Sequence, residues 1–223
     1  MNPPKLFHQS PIITILWALL LVAAITALAL GRWPLSFVAL ATLGLAMAPA
    51  LLASRFDIAL PMPFLFATTL FIFASVFMGE AFDFYERVWW WDLALHGTSA
   101  VGFGLIGFLF VFMLFEGDRF AAPPSAIAFI AFCVAITIGV FWEVLEYLMD
   151  LSFGLGMQKS GLDDTMTDLM IDGVGGGIGA ISGYIYLIGH NDRIFTRLIH
   201  EFIALNKRFY QKSRNRLRKG GDE

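Results

Sequence analysis

The stretch GLDDTMTDLMIDGVGGGIG, residues 161–179, joins a column of acids to a glycine-rich apolar run. Asp164, Asp168 and Asp172 recur every four residues, so a helix stacks them on one face. Gly175, Gly179 and Gly183 keep that spacing, with Gly176 and Ala180 on the same side. Small residues at this interval let two membrane helices approach closely. A charge at the centre of a membrane helix costs about 2.5–3.5 kcal/mol, so such acids normally face a bundle interior. The stretch therefore predicts a membrane-spanning helix that turns its acids and glycines toward other helices.

The rest of the chain has the same character. Of its 223 residues, 58% are hydrophobic and 15% charged, against about 45–50% and about 25% in a soluble domain. Mean hydropathy is +0.72. Apolar runs of the length a bilayer core requires occur at about 11–30, 34–54, 58–78, 93–115, 125–149 and 168–188. The pattern predicts an all-α membrane protein, a six-transmembrane helical bundle over residues 1–190, followed by a C-terminal basic amphipathic helix within 191–223. The first run is longer than a signal-peptide core and is preceded only by Lys5, so it reads as an uncleaved helix. Cys133 lies alone inside an apolar run, which excludes a disulfide framework.

Six spans put both termini on one side. With that side cytoplasmic, the inside carries Lys5, Arg55, Arg119 and the nine bases from Arg193 to Lys219, twelve of the fifteen Lys and Arg. Arg32, Arg87 and Lys159 are left outside. Basic residues concentrate in cytoplasmic loops, so the expected location is a bacterial inner membrane with both termini cytoplasmic. In the tail, Ile194, Phe195, Leu198, Ile199, Phe202 and Ile203 recur with helical period among the bases. A basic amphipathic helix of this kind suits the anionic headgroups of the inner leaflet, reached through residues 193–219, and needs no nucleic acid.

The acids divide the other way. Glu80, Asp83, Glu86, Asp92, Glu143, Glu146, Asp150, Asp163, Asp164, Asp168 and Asp172 all fall at outer helix ends or in outer loops. Glu80, Asp83, Glu86 and Asp150 read as solvated interface acids, beside the interfacial aromatics Tyr85, Trp89, Trp90 and Trp91. Asp163 and Asp164 suit a helix N-terminus, where they complement its dipole. Asp172 and Glu143 lie too deep for that, by roughly 12 Å and 10 Å relative to Asp164 and Asp150 at about 1.5 Å per residue. Asp92, His96, Glu143, Glu146, Asp168 and Asp172 are expected to line one pocket between the last three spans.

No Lys or Arg within those spans neutralises these groups. The carboxyls have three ways to be satisfied: shared protons, hydrogen bonds to helix ends or to Thr98, Ser99 and Thr167, or a divalent cation. Oxygen donors with one imidazole suit Mg²⁺, Mn²⁺ or Ca²⁺, and with fewer ligands Zn²⁺. As metal ligands the candidates are Asp92, His96, Glu143, Asp164 and Asp172, with Glu146 or Asp168 as acid–base group.

The segments WWDLALH, FWEVLEYLMD and GLDDTMTDLMIDGVGGGIG resemble the YjdF-like family of bacterial inner-membrane proteins over about residues 75–190. More distantly, the order of an Asp–His pair, a Glu-bearing helix and an Asp-bearing helix entering glycines is similar to VanZ-like membrane proteins. That group tends to carry Glu-x-x-Gln where this chain has Glu143 and Glu146. The resemblance implies an inner-membrane location and the matching positions Asp92, His96, Glu143, Glu146, Asp164, Asp168 and Asp172.

Three functions fit the pattern. One is a divalent-metal-dependent hydrolase or transferase acting on a lipid or lipid-linked envelope substrate. The second is a non-enzymatic envelope protein that binds lipid or a partner. The third, a cation or proton transporter, lacks the inverted repeat and paired broken helices such proteins show.

Overall fold

The computed structural model describes residues 11–115, 122–154, 156–190 and 194–208, all helix, turn or loop, with no strand among them. Lys5, Arg119, Arg193 and the tail beyond residue 208 lie outside the described residues. The chain divides into two compact units, Met1–Trp91 and Asp92–Glu223.

The first unit contains α1 (Pro11–Ala29), α2 (Trp33–Arg55), α3 (Met62–Ala81) and the short α4 (Phe84–Arg87). Proline opens each long helix, at Pro11, Pro34 and Pro63, positions where its missing N–H has no intrahelical partner to lose. Pro61 and Pro63 accordingly start α3 without bending it. The irregularity lies further on, where Phe73–Met78 widens into a π-helical turn. Small residues let α1 and α2 pack: Ala24, Ala27, Ala39 and Ala46 are buried, and the Ser36 hydroxyl donates to the Ala24 carbonyl at 3.0 Å.

The second unit contains α5 (Trp91–Leu114), α6 (Pro124–Phe153), α7 (Leu162–Leu187) and α8 (Ile194–Leu205). On α6 the buried face runs Ile127, Ala131, Ala135, Gly139, Glu143 and Glu146, small residues giving way to acids. Most of its large apolar residues, among them Phe129, Phe141, Leu145, Leu148 and Leu151, are exposed. Large apolar side chains outward and small or polar ones inward is the arrangement lipid favours.

Glycine sets the helix contacts. A Cβ on Gly175 would collide with the Gly97 carbonyl oxygen, and one on Gly179 with the Val101 carbonyl oxygen. Gly104 faces Gly176 and Gly179 in return, and Gly183 receives the Phe108 ring. These contacts advance together along both helices, so α5 and α7 run parallel with their backbones touching. Gly139 against Asp172 and Ala135 against Gly176 advance in opposite senses, so α6 runs antiparallel to α7.

Five helices among the described residues are long and apolar enough to cross a membrane: α1, α2, α3, α5 and α6. The expected sixth span is not among them. Helix α7 has ample length at 26 residues, but its aspartates and glycines dilute its apolarity. It begins at Leu162, which puts Asp163 and Asp164 in its first turn, as expected, ahead of the apolar run from 168.

One end of the second unit is an aromatic and aliphatic core. Phe108 stacks on Phe112 with centroids 5.7 Å apart, and Tyr186 meets both rings edge-on. Ile199 of α8 is buried in the same core, with Phe202 and Ile203 packed against it. The apolar face of α8 therefore rests on protein, leaving Arg197, Lys207 and Arg208 exposed.

Candidate metal centre

The other end of the second unit gathers the acids. Helices α5 and α7 both enter it at their N-termini, so their four-residue steps descend side by side. Asp92 and Asp164 form an upper, half-buried layer, and His96, Asp168 and Asp172 lie below. The antiparallel α6 supplies Glu143 and Glu146 from its C-terminal half. His96, Glu143, Glu146, Asp168 and Asp172 are all buried, Asp168 to 1% exposure and Asp172 to 2%. Asp163 points to solvent.

His96 is the hub. Its Nδ1 lies 3.4 Å from Asp172 Oδ1, while Nε2 lies 3.8 Å from Glu143 Oε1 and 3.9 Å from Asp92 Oδ1. A carboxylate on one imidazole nitrogen fixes the ring and directs the other nitrogen toward a ligand. Gly139 makes room for this: a Cβ there would strike Asp172 Oδ2. Its place four residues before Glu143 on the same helical face is visible in sequence, though its partner is not.

Two triads of donor atoms result, each with its atoms within 4.8 Å of one another. One comprises His96, Glu143 and Asp168; the other comprises Asp92, Asp164 and Asp168. Ligands bound to one ion at about 2.0–2.6 Å sit at such separations after modest closure. Asp168 belongs to both. Asp172 belongs to neither and serves the imidazole, while Glu146 accepts a hydrogen bond from Trp142 Nε1 at 2.8 Å.

Three hydroxyls near these acids bond elsewhere. The Thr98, Ser99 and Thr167 hydroxyls donate to carbonyls of their own helices, those of Ala94, His96 and Asp163. Asp168 Oδ2 is buried and receives no hydrogen bond, while Glu143 has the Thr165 hydroxyl beside its buried carboxyl. Leaving an ionised carboxylate buried without compensation costs several kcal/mol.

The loop between α6 and α7 closes the upper layer. Gly154, with φ of 65°, ends α6 in the left-handed conformation that glycine adopts freely. Asp150, read from sequence as a solvated acid, accepts the Met157 and Gln158 amides at 2.7 and 2.8 Å and so anchors the loop. This brings Lys159 Nζ to 3.5 Å from Asp92 Oδ2, and the Lys159 amide donates to Asp164 Oδ2 at 3.2 Å. Lys159 has no helical periodicity to mark it, so only the folded loop reveals its place.

Among Glu80, Asp83 and Glu86 of the first unit, Asp83 pairs with Arg87 at 3.2 Å on an exposed surface.

Residues 9–189 match the family model described as "Predicted membrane protein (DUF2238)". An uncharacterised protein of Thermotoga maritima is 34% identical over 112 residues, 48% of this chain. The matching region covers 57% of that relative's length. No solved structure matches.

Proposed function

The chain belongs to the DUF2238 family of predicted membrane proteins, and from that premise we propose that its acidic cluster is a divalent-cation centre serving a hydrolase or transferase at the membrane surface. The observation that carries this reading is the buried Asp168 Oδ2, which receives no hydrogen bond and is held with Glu143 and the His96 imidazole in one triad of donor atoms. A divalent ion offsets several carboxylates at once. Mostly oxygen donors with one nitrogen favour Mn²⁺ or Mg²⁺, with Ca²⁺ and Zn²⁺ as competitors.

In this reading His96, Glu143 and Asp168 are the inner ligands, and Asp172 orients His96. A bound cation would supply Lewis-acid polarisation of an ester or phosphoester oxygen. Glu146, outside both triads and held by Trp142, takes the proton of the attacking water and returns it to the leaving oxygen. The substrate class is a lipid or lipid-linked envelope molecule, because the cluster sits at the end of membrane helices within reach of headgroups. Transport is disfavoured, since Phe108, Phe112 and Tyr186 close the far end of the same helices.

Helix α7 completes a six-span bundle in this proposal. Both termini then face the cytoplasm of a bacterial inner membrane, in keeping with the YjdF-like resemblance, and the exposed Arg197, Lys207 and Arg208 meet the anionic leaflet.

The test is metal analysis of the full chain in detergent after dialysis against Mn²⁺, followed by assay of headgroup release from bacterial lipid extract. Stoichiometric Mn²⁺ lost in Asp168→Asn, with turnover lost in Glu146→Gln that retains the ion, is the expected result. Absence of bound ion in wild type would overturn the centre. Ion without turnover would leave the non-enzymatic binding reading.

A further inference from the structure

Asp168 contributes to two triads offset by one helical turn. The inner one has His96 and Glu143; the outer one has Asp92 and Asp164. The offset follows from sequence and packing together: Asp92 to His96 and Asp164 to Asp168 are both steps of four, on parallel helices whose backbones touch at Gly97 and Gly175. A carboxylate has two oxygens, and Asp168 Oδ2 is buried without a hydrogen bond.

We propose that the cluster holds two divalent cations bridged by the Asp168 carboxylate, resting on the cation-binding reading above. His96 and Glu143 complete the inner ion, and Asp92 with Asp164 complete the outer. Carboxylate-bridged pairs elsewhere hold their ions about 3.5–4 Å apart, a spacing that one turn of about 5.4 Å accommodates when both ions lean toward the shared group.

The two positions differ in competition. Lys159 Nζ stands 3.5 Å from Asp92 Oδ2, where it supplies positive charge to the outer triad. An outer cation displaces that ammonium from Asp92, so the outer ion is the weaker one and Lys159 tunes its affinity. Among the described residues no Lys or Arg side chain makes such a contact with Glu143 or Asp168, whose basic neighbour is the proposed ligand His96.

The experiment loads the full chain in detergent with Mn²⁺, counts Mn²⁺ per chain and records its electron paramagnetic resonance spectrum. Two Mn²⁺ per chain with an exchange-broadened spectrum are expected in wild type. Asp92→Asn and Asp164→Asn should each leave one ion and an isolated six-line spectrum, whereas Asp168→Asn should leave none. Lys159→Gln should tighten the weaker site several-fold.

A single ion in wild type overturns the paired centre while the cation-binding reading survives. No ion overturns both. Two ions with uncoupled spectra, or one ion retained by Asp168→Asn, overturn the bridge. Should Asp168→Asn fail to fold, the outer-layer variants still decide between one ion and two.

Discussion

The same three helices, α5, α6 and α7, make opposite things at their two ends. At one end Phe108, Phe112, Tyr186 and Ile127, joined by Ile199 of α8, fill space with carbon. At the other, Asp92, His96, Glu143, Glu146, Asp164, Asp168 and Asp172 gather ionisable groups, among them a buried Asp168 oxygen that receives no hydrogen bond. Glycine serves both ends, with Gly183 receiving the Phe108 ring and Gly139 receiving the Asp172 carboxylate. The difference teaches that one helix bundle can close one end with apolar packing and gather buried polar groups at the other, and on the proposal above that second end serves a cation.

This contrast is breakable. Asp168→Asn carries the largest expected effect: complete loss of bound Mn²⁺, with metal-free thermal stability raised, because a buried charge without a hydrogen bond is removed. Paired metal analysis and melting in chelator check it, and a lowered metal-free midpoint would count against the proposed cation centre. Phe108→Ala should do the reverse. It should remove about 3–5 kcal/mol of stability in detergent unfolding while the refolded or residual native fraction binds Mn²⁺ with unchanged affinity.

Asp172→Asn sharpens the acidic end. Loss of the group that orients a ligating histidine weakens binding by about 10–100-fold, roughly 1.4–2.7 kcal/mol, read by Mn²⁺ titration. Gly139→Ala pushes the same carboxylate from the opposite helix and should weaken binding in the same direction. Retention of full affinity in both variants would remove Asp172 from any role in the centre. The smallest effect belongs to Gly183→Ala, which crowds Phe108 and should destabilise by about 1–3 kcal/mol with Mn²⁺ affinity intact.

Much of this was legible beforehand. Helices α1, α2, α5 and α6 lie within a few residues of their expected spans, because long apolar runs and opening prolines are local signals. Depth also singled out Glu143 and Asp172 correctly as buried acids. Less legible was α7, whose acids and glycines mimic a weaker span, and the π-helical turn at Phe73–Met78, which no residue type announces. The tail helix was visible as amphipathic, yet its apolar face packs on Phe112 and its neighbours' core, since period alone does not say what a face will meet.

Sequence by itself determined the helical membrane class, the approximate extents of α1, α2, α5 and α6 and the faces on which the acids stand, because hydropathy and a period of about 3.6 residues are properties of a single segment. Only the tertiary structure decided which acids share atoms. Asp168 falls between two triads, Asp172 turns to the imidazole, Asp150 ties down a loop and Lys159 reaches Asp92. Those outcomes depend on the register and distance between helices, set by where glycines let backbones touch, and no single helix carries that information.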